Sequence, residues 1–168
     1  MRVLGIDCGT EYTGYGVVDQ HVNGRLEFVT AGAIHLSKRE PMPKRLAAVF
    51  TDLSHIILTT SPRMVAIEEV FYSVNAKSAL KLGQVRGVAM LAASSASLEV
   101  AEYSPLSIKS AVVGYGKAEK VQVQHMVAHL LRLPEPPHPS DAADALAIAI
   151  CHLHTHATLK RYEVAGRG

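Results

Sequence analysis

Val3-Leu4-Gly5-Ile6-Asp7-Cys8-Gly9-Thr10 opens the chain with a short apolar run that stops on a carboxylate and a turn-like segment. That is how a buried strand delivering a charged residue at its end reads. The pattern returns at Met64-Val65-Ala66-Ile67-Glu68. Between the two, Tyr15, Val17 and Val18 resume an extended pattern, His21-Val22-Asn23-Gly24 is a hairpin-type turn, and a third strand runs from Leu26 to about Leu36. Pro41 and Pro43 then open a segment in which Leu46, Val49, Phe50, Leu53, Ile56 and Ile57 recur at helical spacing, closed by Ser61-Pro62.

Beyond Glu68 the spacing predicts a helix from about Asn75 to Ser97, a strand from Val100 to Tyr103 and a short helix from Ser104-Pro105 to about Val113. Gly114-Tyr115-Gly116 reads as a flexible break, followed by an amphipathic helix from Lys117 to Leu133. Pro134–Pro139 forbids continuous helix. Ser140 is placed to cap a last helix, from Asp141 to about His154. The sum is one mixed-sheet α/β domain over residues 1–156, with a frayed polar tail at 157–168.

Composition narrows the function classes without choosing one. The chain has 168 residues, 48% hydrophobic and 19% charged, enough for a single buried core. No apolar run is long enough to span a bilayer, so no membrane partner is expected. Asp7 comes too early for a signal peptide, and Cys8 and Cys151 provide no disulfide framework, which together indicate the cytoplasm. A net charge of +2 says little, although Lys109, Lys117 and Lys120 lie close together in the sequence.

Asp7, Glu68, Asp141 and Asp144 each hold a position that structure alone would give to something apolar or neutral. The last two are three apart, on one helix face that continues into Ala145 and Ile148 and so turns toward the protein body. Burial magnifies their repulsion, and a divalent cation removes it. Magnesium prefers hard oxygen ligands and keeps several waters, so a few carboxylates suffice. Two such ions roughly 3.5–4 Å apart can clamp a phosphodiester. The bland readings stand beside this one: helix N-termini favour Asp141 and Asp144, and a strand-end acid is usually a turn residue. Glu69 points to the other side of its strand and is read as solvated.

Several segments resemble the RuvC family of junction resolvases. They are Leu4-Gly5-Ile6-Asp7-Cys8-Gly9, Thr13 to Val18, Ala66-Ile67-Glu68-Glu69-Val70-Phe71, Ser78 to Gly87, Ala118 to Met126 and Asp141 to Ala149. They occur in family order over residues 3 to about 152. The resemblance implies a ribonuclease H-like fold, a mixed five-stranded sheet flanked by helices, and a homodimer that cleaves four-way DNA junctions with Mg2+, for which Mn2+ can substitute. It implies two ions per site held by Asp7, Glu68, Asp141 and Asp144, with Lys109 and Lys120 beside the scissile phosphate. Phe71 would be presented to junction bases, Lys81, Arg86 and Lys117 would join the DNA surface, and a branch-migration complex would be a partner.

Cys8 stands where the family usually has proline, which puts a thiol open to oxidation beside the acids. His138 precedes Asp141 by three and reads as a loop histidine. His125 and His129 lack a third ligand, and the alternation of His152, His154 and His156 spreads them around a helix. The helix containing Gly83 and Gly87 is the candidate dimer interface, with close packing inside the chain as the alternative. Two rivals remain. An actin-like ATP-binding phosphotransferase shares the Gly5–Thr10 loop pattern, and a related ribonuclease H-like nuclease could take another substrate.

Overall fold

A computed structural model describes residues 1–69 and 75–165, with side chains through residue 158. Strand β1 (Arg2–Asp7) is the middle of a five-stranded sheet that also holds β2 (Tyr12–Gln20), β3 (Leu26–His35), β4 (Met64–Glu68) and β5 (Glu99–Tyr103), in the order β3-β2-β1-β4-β5. The first three strands pair antiparallel with one another, while β4 pairs parallel with both β1 and β5, giving the expected mixed sheet. The helices are α1 (Met42–Thr60), α2 (Ala76–Ser95), α3 (Pro105–Val113), α4 (Lys120–Leu131) and α5 (Ser140–Ala165).

The period-two alternation of the strands divides the core in two. Leu4, Ile6, Val65 and Ile67 face α1 and α2, where they meet Val49, Leu53, Val85 and Ala89. Val3 and Ala66 face the other way, into a cluster with Ile108 and Val112 of α3, Val123 and Val127 of α4, and Leu146 and Ile150 of α5. By the same alternation Asp7 and Glu68 belong to the α3–α5 face. Burying one such aliphatic side chain stabilises by about 1.5–3 kcal/mol.

Helix α5 lies unusually close to the sheet, and composition on both sides explains it. Its inner residues are mainly small, with Ala142, Ala143, Ala145, Ala147 and Ala149 all buried. A Cβ at Gly5 of β1 would stand 2.7 Å from the Ala149 nitrogen, and one at Gly16 of β2 would stand 2.7 Å from the Leu146 nitrogen. Either addition would press on helix backbone, which cannot yield locally, and would lift α5 away from the strands. The glycines therefore set how near the helix brings its acids.

Several boundaries differ from the sequence reading. Helix α5 continues to Ala165, beyond the expected end near His154 and into the tail that begins at 157. Polar composition does not end a helix that contains neither Pro nor Gly between 155 and 165. Ser140 is its first residue rather than its cap, and its hydroxyl donates to Asp141 Oδ2 at 3.5 Å. Helix α4 starts at Lys120, because Glu119 and Gln122 close a capping box there. Gly114 has φ 93° and caps α3, which makes the expected flexible break a formed turn. Among the described residues, nothing lies within 4 Å of a Cβ added at Gly83 or Gly87, so no close packing seen there accounts for them.

Candidate active site

Asp7 and Glu68 sit one step past the paired residues Ile6 and Ile67, on adjacent parallel strands. Equal position and equal facing place the two carboxylates side by side at the strand ends. Asp144 comes from the first turns of α5, Lys120 from the first residue of α4, and Lys109 from α3. All five line one cavity of about 230 Å³, walled on its apolar side by Pro105, Ile108, Val123, Ala147 and Ile148. Lys120 Nζ lies 2.5 Å from Asp144 Oδ2. Asp141 does not line the cavity itself, but its field reaches Asp7, Asp144 and Lys120.

The electrostatics show an excess of negative charge. Burial, then Asp144, Glu68 and Asp141, push Asp7 up to about 7, with Lys120 pulling the other way. Glu68 is raised by burial and Asp144 against the pull of Lys109 and Lys120. Asp144 is raised by burial and by Asp141, even though Lys120 bonds it directly. Burial pulls Lys120 down, but its hydrogen bond to Asp144 and the charges of Asp144, Asp7 and Asp141 outweigh this and raise it. Four acids share two lysines, and the lysines do not satisfy them.

The donor chemistry of this site fits a hard divalent cation: carboxylate oxygens, more negative charge than the protein itself neutralises, and open space between them. Among the described residues, no three acid, histidine or cysteine donors already converge on one point closely enough to hold a metal. Asp144 is turned to Lys120 instead, as expected of carboxylates that repel one another and have one cation within reach. The residues fit a metal by charge and donor type.

A family model for crossover junction endodeoxyribonuclease RuvC matches residues 3–152. The chain belongs to that family. A crossover junction endodeoxyribonuclease RuvC from Koribacter versatilis is 64% identical over 161 residues, covering 96% of this chain and 97% of that protein. One from Acidobacterium capsulatum is 55% identical over 166 residues, covering 95% of this chain and 97% of that protein. Among solved structures, Thermus thermophilus RuvC superposes with a TM-score of 0.87 at 34% identity, covering 94% of this chain and 96% of that one. A structure of the T. thermophilus protein in complex with Holliday junction substrate matches with the same TM-score at 31% identity, covering 94% and 96%. The fold is thus ribonuclease H-like, and the enzyme is an endodeoxyribonuclease acting on crossover junctions rather than an actin-like phosphotransferase.

With this RuvC-type site in view, the remaining expected residues separate. Lys117 and Lys81 are exposed, on the α3–α4 loop and on α2, and neither lines the cavity. Arg86 Nε donates to the Glu68 carbonyl at 3.2 Å and its Nη2 pairs with Glu102. It braces the end of β4 against α2 and β5, a role hidden in the sequence because the contact is to backbone. Phe71 and Tyr72 lie outside the described residues. His138 is exposed on its loop and absent from the cavity wall.

Burial and then the adjacent Asp7 push the Cys8 thiol up to about 12, which disfavours its thiolate form. Both cysteines are free. The reading that spread the three alternating histidines apart missed one pairing: His152 is buried, accepts or donates at 2.9 Å with the Tyr103 hydroxyl, and stacks on His156 at 6.0 Å. Their spacing of four, one helical turn, was the available signal. The direct Lys120–Asp144 pair and the apolar cavity wall also went unread, although Ala147 follows Asp144 by three.

Proposed function

We propose that this endonuclease resolves four-way DNA junctions by magnesium-dependent phosphodiester hydrolysis, with Asp7, Glu68, Asp141 and Asp144 holding two ions that manganese can replace. The carrying observation is that Asp7, Glu68, Asp144, Lys109 and Lys120 line one cavity although they come from five different elements. When bound, the ions would supply activation of a water nucleophile and stabilisation of charge on the departing 3′ oxygen. Asp7 and Glu68 are held by the rigid sheet and fix the site's position. Asp144, which bonds Lys120, would be a ligand supplied by the helix rather than the sheet. Lys120 and Lys109, which line the same cavity, would offset charge on the phosphoryl oxygens. The apolar wall limits water on one side of the cavity.

Phe71 is proposed to stack on an opened junction base, with Lys81 and Lys117 contacting phosphates away from the cut. A second copy of the chain is proposed to dock through α2. Leu80 is 71% exposed and Leu91 56% exposed, and they align with the open surface of Gly83 and Gly87 as one apolar stripe of small and large residues. A two-fold dimer would set two cavities against a two-fold substrate, allowing paired nicks. A branch-migration complex is the proposed wider partner. Among the described residues, no helix is long and apolar enough to cross a membrane, and free thiols suit a reducing cytoplasm as the working compartment.

The test is a cleavage assay on purified chain with Mg2+, comparing a four-way junction with linear duplex and an RNA–DNA hybrid of matched sequence. Symmetric nicks in the junction alone are expected. Equal or faster cutting of duplex or hybrid would replace the junction by another substrate.

A further inference from the structure

The turn between α3 and α4 is built to present a ring. Tyr115 is 48% exposed, yet its hydroxyl donates to Gln122 Oε1 at 3.1 Å. The same oxygen accepts the Glu119 backbone N–H at 2.8 Å, the bond that caps α4. The next residue is Lys120, which reaches Asp144 in the acid-lined cavity. Tyr115 is therefore tied to the helix end that carries a cavity lysine. Gly114 turns the chain with φ 93°, and Gly116 lies so near Leu106 that an added Cβ would stand 2.9 Å from Leu106 Cγ. The path of this turn is set by the left-handed backbone at Gly114 and by packing at Gly116.

On the same turn and the helices it joins, Leu106, which packs beside Gly116, is 63% exposed, Val121 is 58% exposed, and Lys117 is exposed. Isolated exposed apolar residues need no explanation. A pinned aromatic, two aliphatic side chains and a lysine, all within a turn or two of the cavity lysines, form a different kind of surface. Ammonium groups neutralise phosphates, while an aromatic face contacts a base or sugar whose identity ammonium groups do not sense. Because the hydroxyl already holds the ring, contact costs little additional ordering.

We propose that Tyr115 is a specificity-determining residue of the cleavage reaction, packing its ring against the nucleotide that flanks the cut phosphate. This rests on the junction-cleaving reading above and adds to it the element that senses local sequence. Tyr115 contributes no charge or proton. It discriminates by whether the flanking nucleotide can lie flat against it while the phosphate enters the cavity.

The experiment uses full-length chain and four junctions that differ only in the base flanking the cleaved phosphate, plus one carrying 2-aminopurine at that position. Single-turnover cleavage is measured at saturating enzyme with Mg2+, and 2-aminopurine emission on binding is measured without metal. Tyr115→Leu should slow cleavage of the preferred junction roughly tenfold, flatten the differences among the four bases and remove the emission change. Its junction affinity should stay within about threefold, since the phosphate contacts remain. Tyr115→Phe, which keeps the ring and loses only the bond to Gln122, should retain the base ranking and the emission change. A Tyr115→Leu protein with wild-type rate, ranking and emission would overturn the proposal, as would loss of the ranking in Tyr115→Phe alone. Wild-type chain measured alongside separates the two levels: a wild type that cuts no junction sinks the functional reading itself.

Discussion

The two ends of β1 each carry an acid–base pair, and they behave in opposite ways. At the entry end, Arg2 and Asp19 are direct cross-strand partners, bonded at 2.7 Å and 3.1 Å through a forked contact. Asp19 is lowered by the Arg2 hydrogen bond, as a matched carboxylate should be. At the exit end Lys120 touches Asp144 at 2.5 Å, yet Asp144 is raised. Contact distance does not separate the two ends. The entry end has one acid to one guanidinium, whereas the exit end buries several carboxylates around two lysines. A close ion pair inside an unbalanced group remains short of positive charge, and that shortage is what a divalent ion would relieve.

The largest test of the comparison removes one exit-end charge. Asp7→Asn keeps the side chain's size and deletes the acid most affected by its neighbours. Single-turnover junction cleavage should fall at least roughly a thousandfold, since the loss includes several kcal/mol of charge stabilisation. Junction binding measured without metal should be unchanged or tighter, because the variant presents less negative charge to a polyanion. Retained Mg2+-dependent cleavage would remove Asp7 from the site and leave the imbalance without functional meaning.

A smaller effect is visible in stability alone. Asp7, Glu68 and Asp144 are all raised in the folded protein, so the native state binds more protons than the unfolded chain between their ordinary range near 4 and about 7. The sign follows: without metal, stability is greatest at or below pH 4 as far as these groups are concerned, and it falls as pH rises toward 7. The drop should be on the order of 2 kcal/mol after allowing for coupling among the three. Thermal melts in chelator across that range measure it. Added Mg2+ should reverse the trend at pH 7 and above, by about 2.7 kcal/mol at a hundred times its dissociation constant. A flat profile in chelator, unaffected by Mg2+, would mean the exit end is as well matched as the entry end.

Much of this contrast was legible in the residue order, for identifiable reasons. Apolar runs ending on Asp7 and Glu68 announced buried strands with acids at their tips, and period-two facing followed from the strands themselves. The helical i, i+3 spacing of Asp141 and Asp144 gave their common face. What could not be read was contact made across the fold. The bond from Arg86 to the Glu68 backbone, which ties α2 to the end of β4, left no signal in the residue order. Tyr115 between two glycines looked mobile because the Gln122 bond that pins it depends on the α4 cap. The helix end expected near His154 fell short of Ala165 because polarity was taken as a stop, though no Pro or Gly interrupts the chain between 155 and 165. Local pattern specifies elements and facing, while charge balance depends on which elements meet.

The smallest expected effect belongs to the entry end and completes the comparison. Asp19→Asn keeps the shape of the pair with Arg2 and removes its charge. Both partners are partly exposed, with side-chain accessibilities of 34% and 26%, so the loss at pH 7 should be no more than about 1 kcal/mol. The sign is opposite to that of Asp7. A lowered carboxylate contributes stability above its ordinary value near 3.9 and loses it as pH falls through the depressed value. The variant should therefore melt below wild type at pH 7 and approach it as pH falls through the depressed value, with no change in junction cleavage or in the response to Mg2+. Arg2 also donates to the Thr60 carbonyl at 2.5 Å, a bond Asp19→Asn leaves intact, so the strand end should stay anchored. If Asp19→Asn altered cleavage as strongly as it altered stability, the ends of β1 would be mechanically coupled, and the exit-end acids could no longer be treated as a local imbalance.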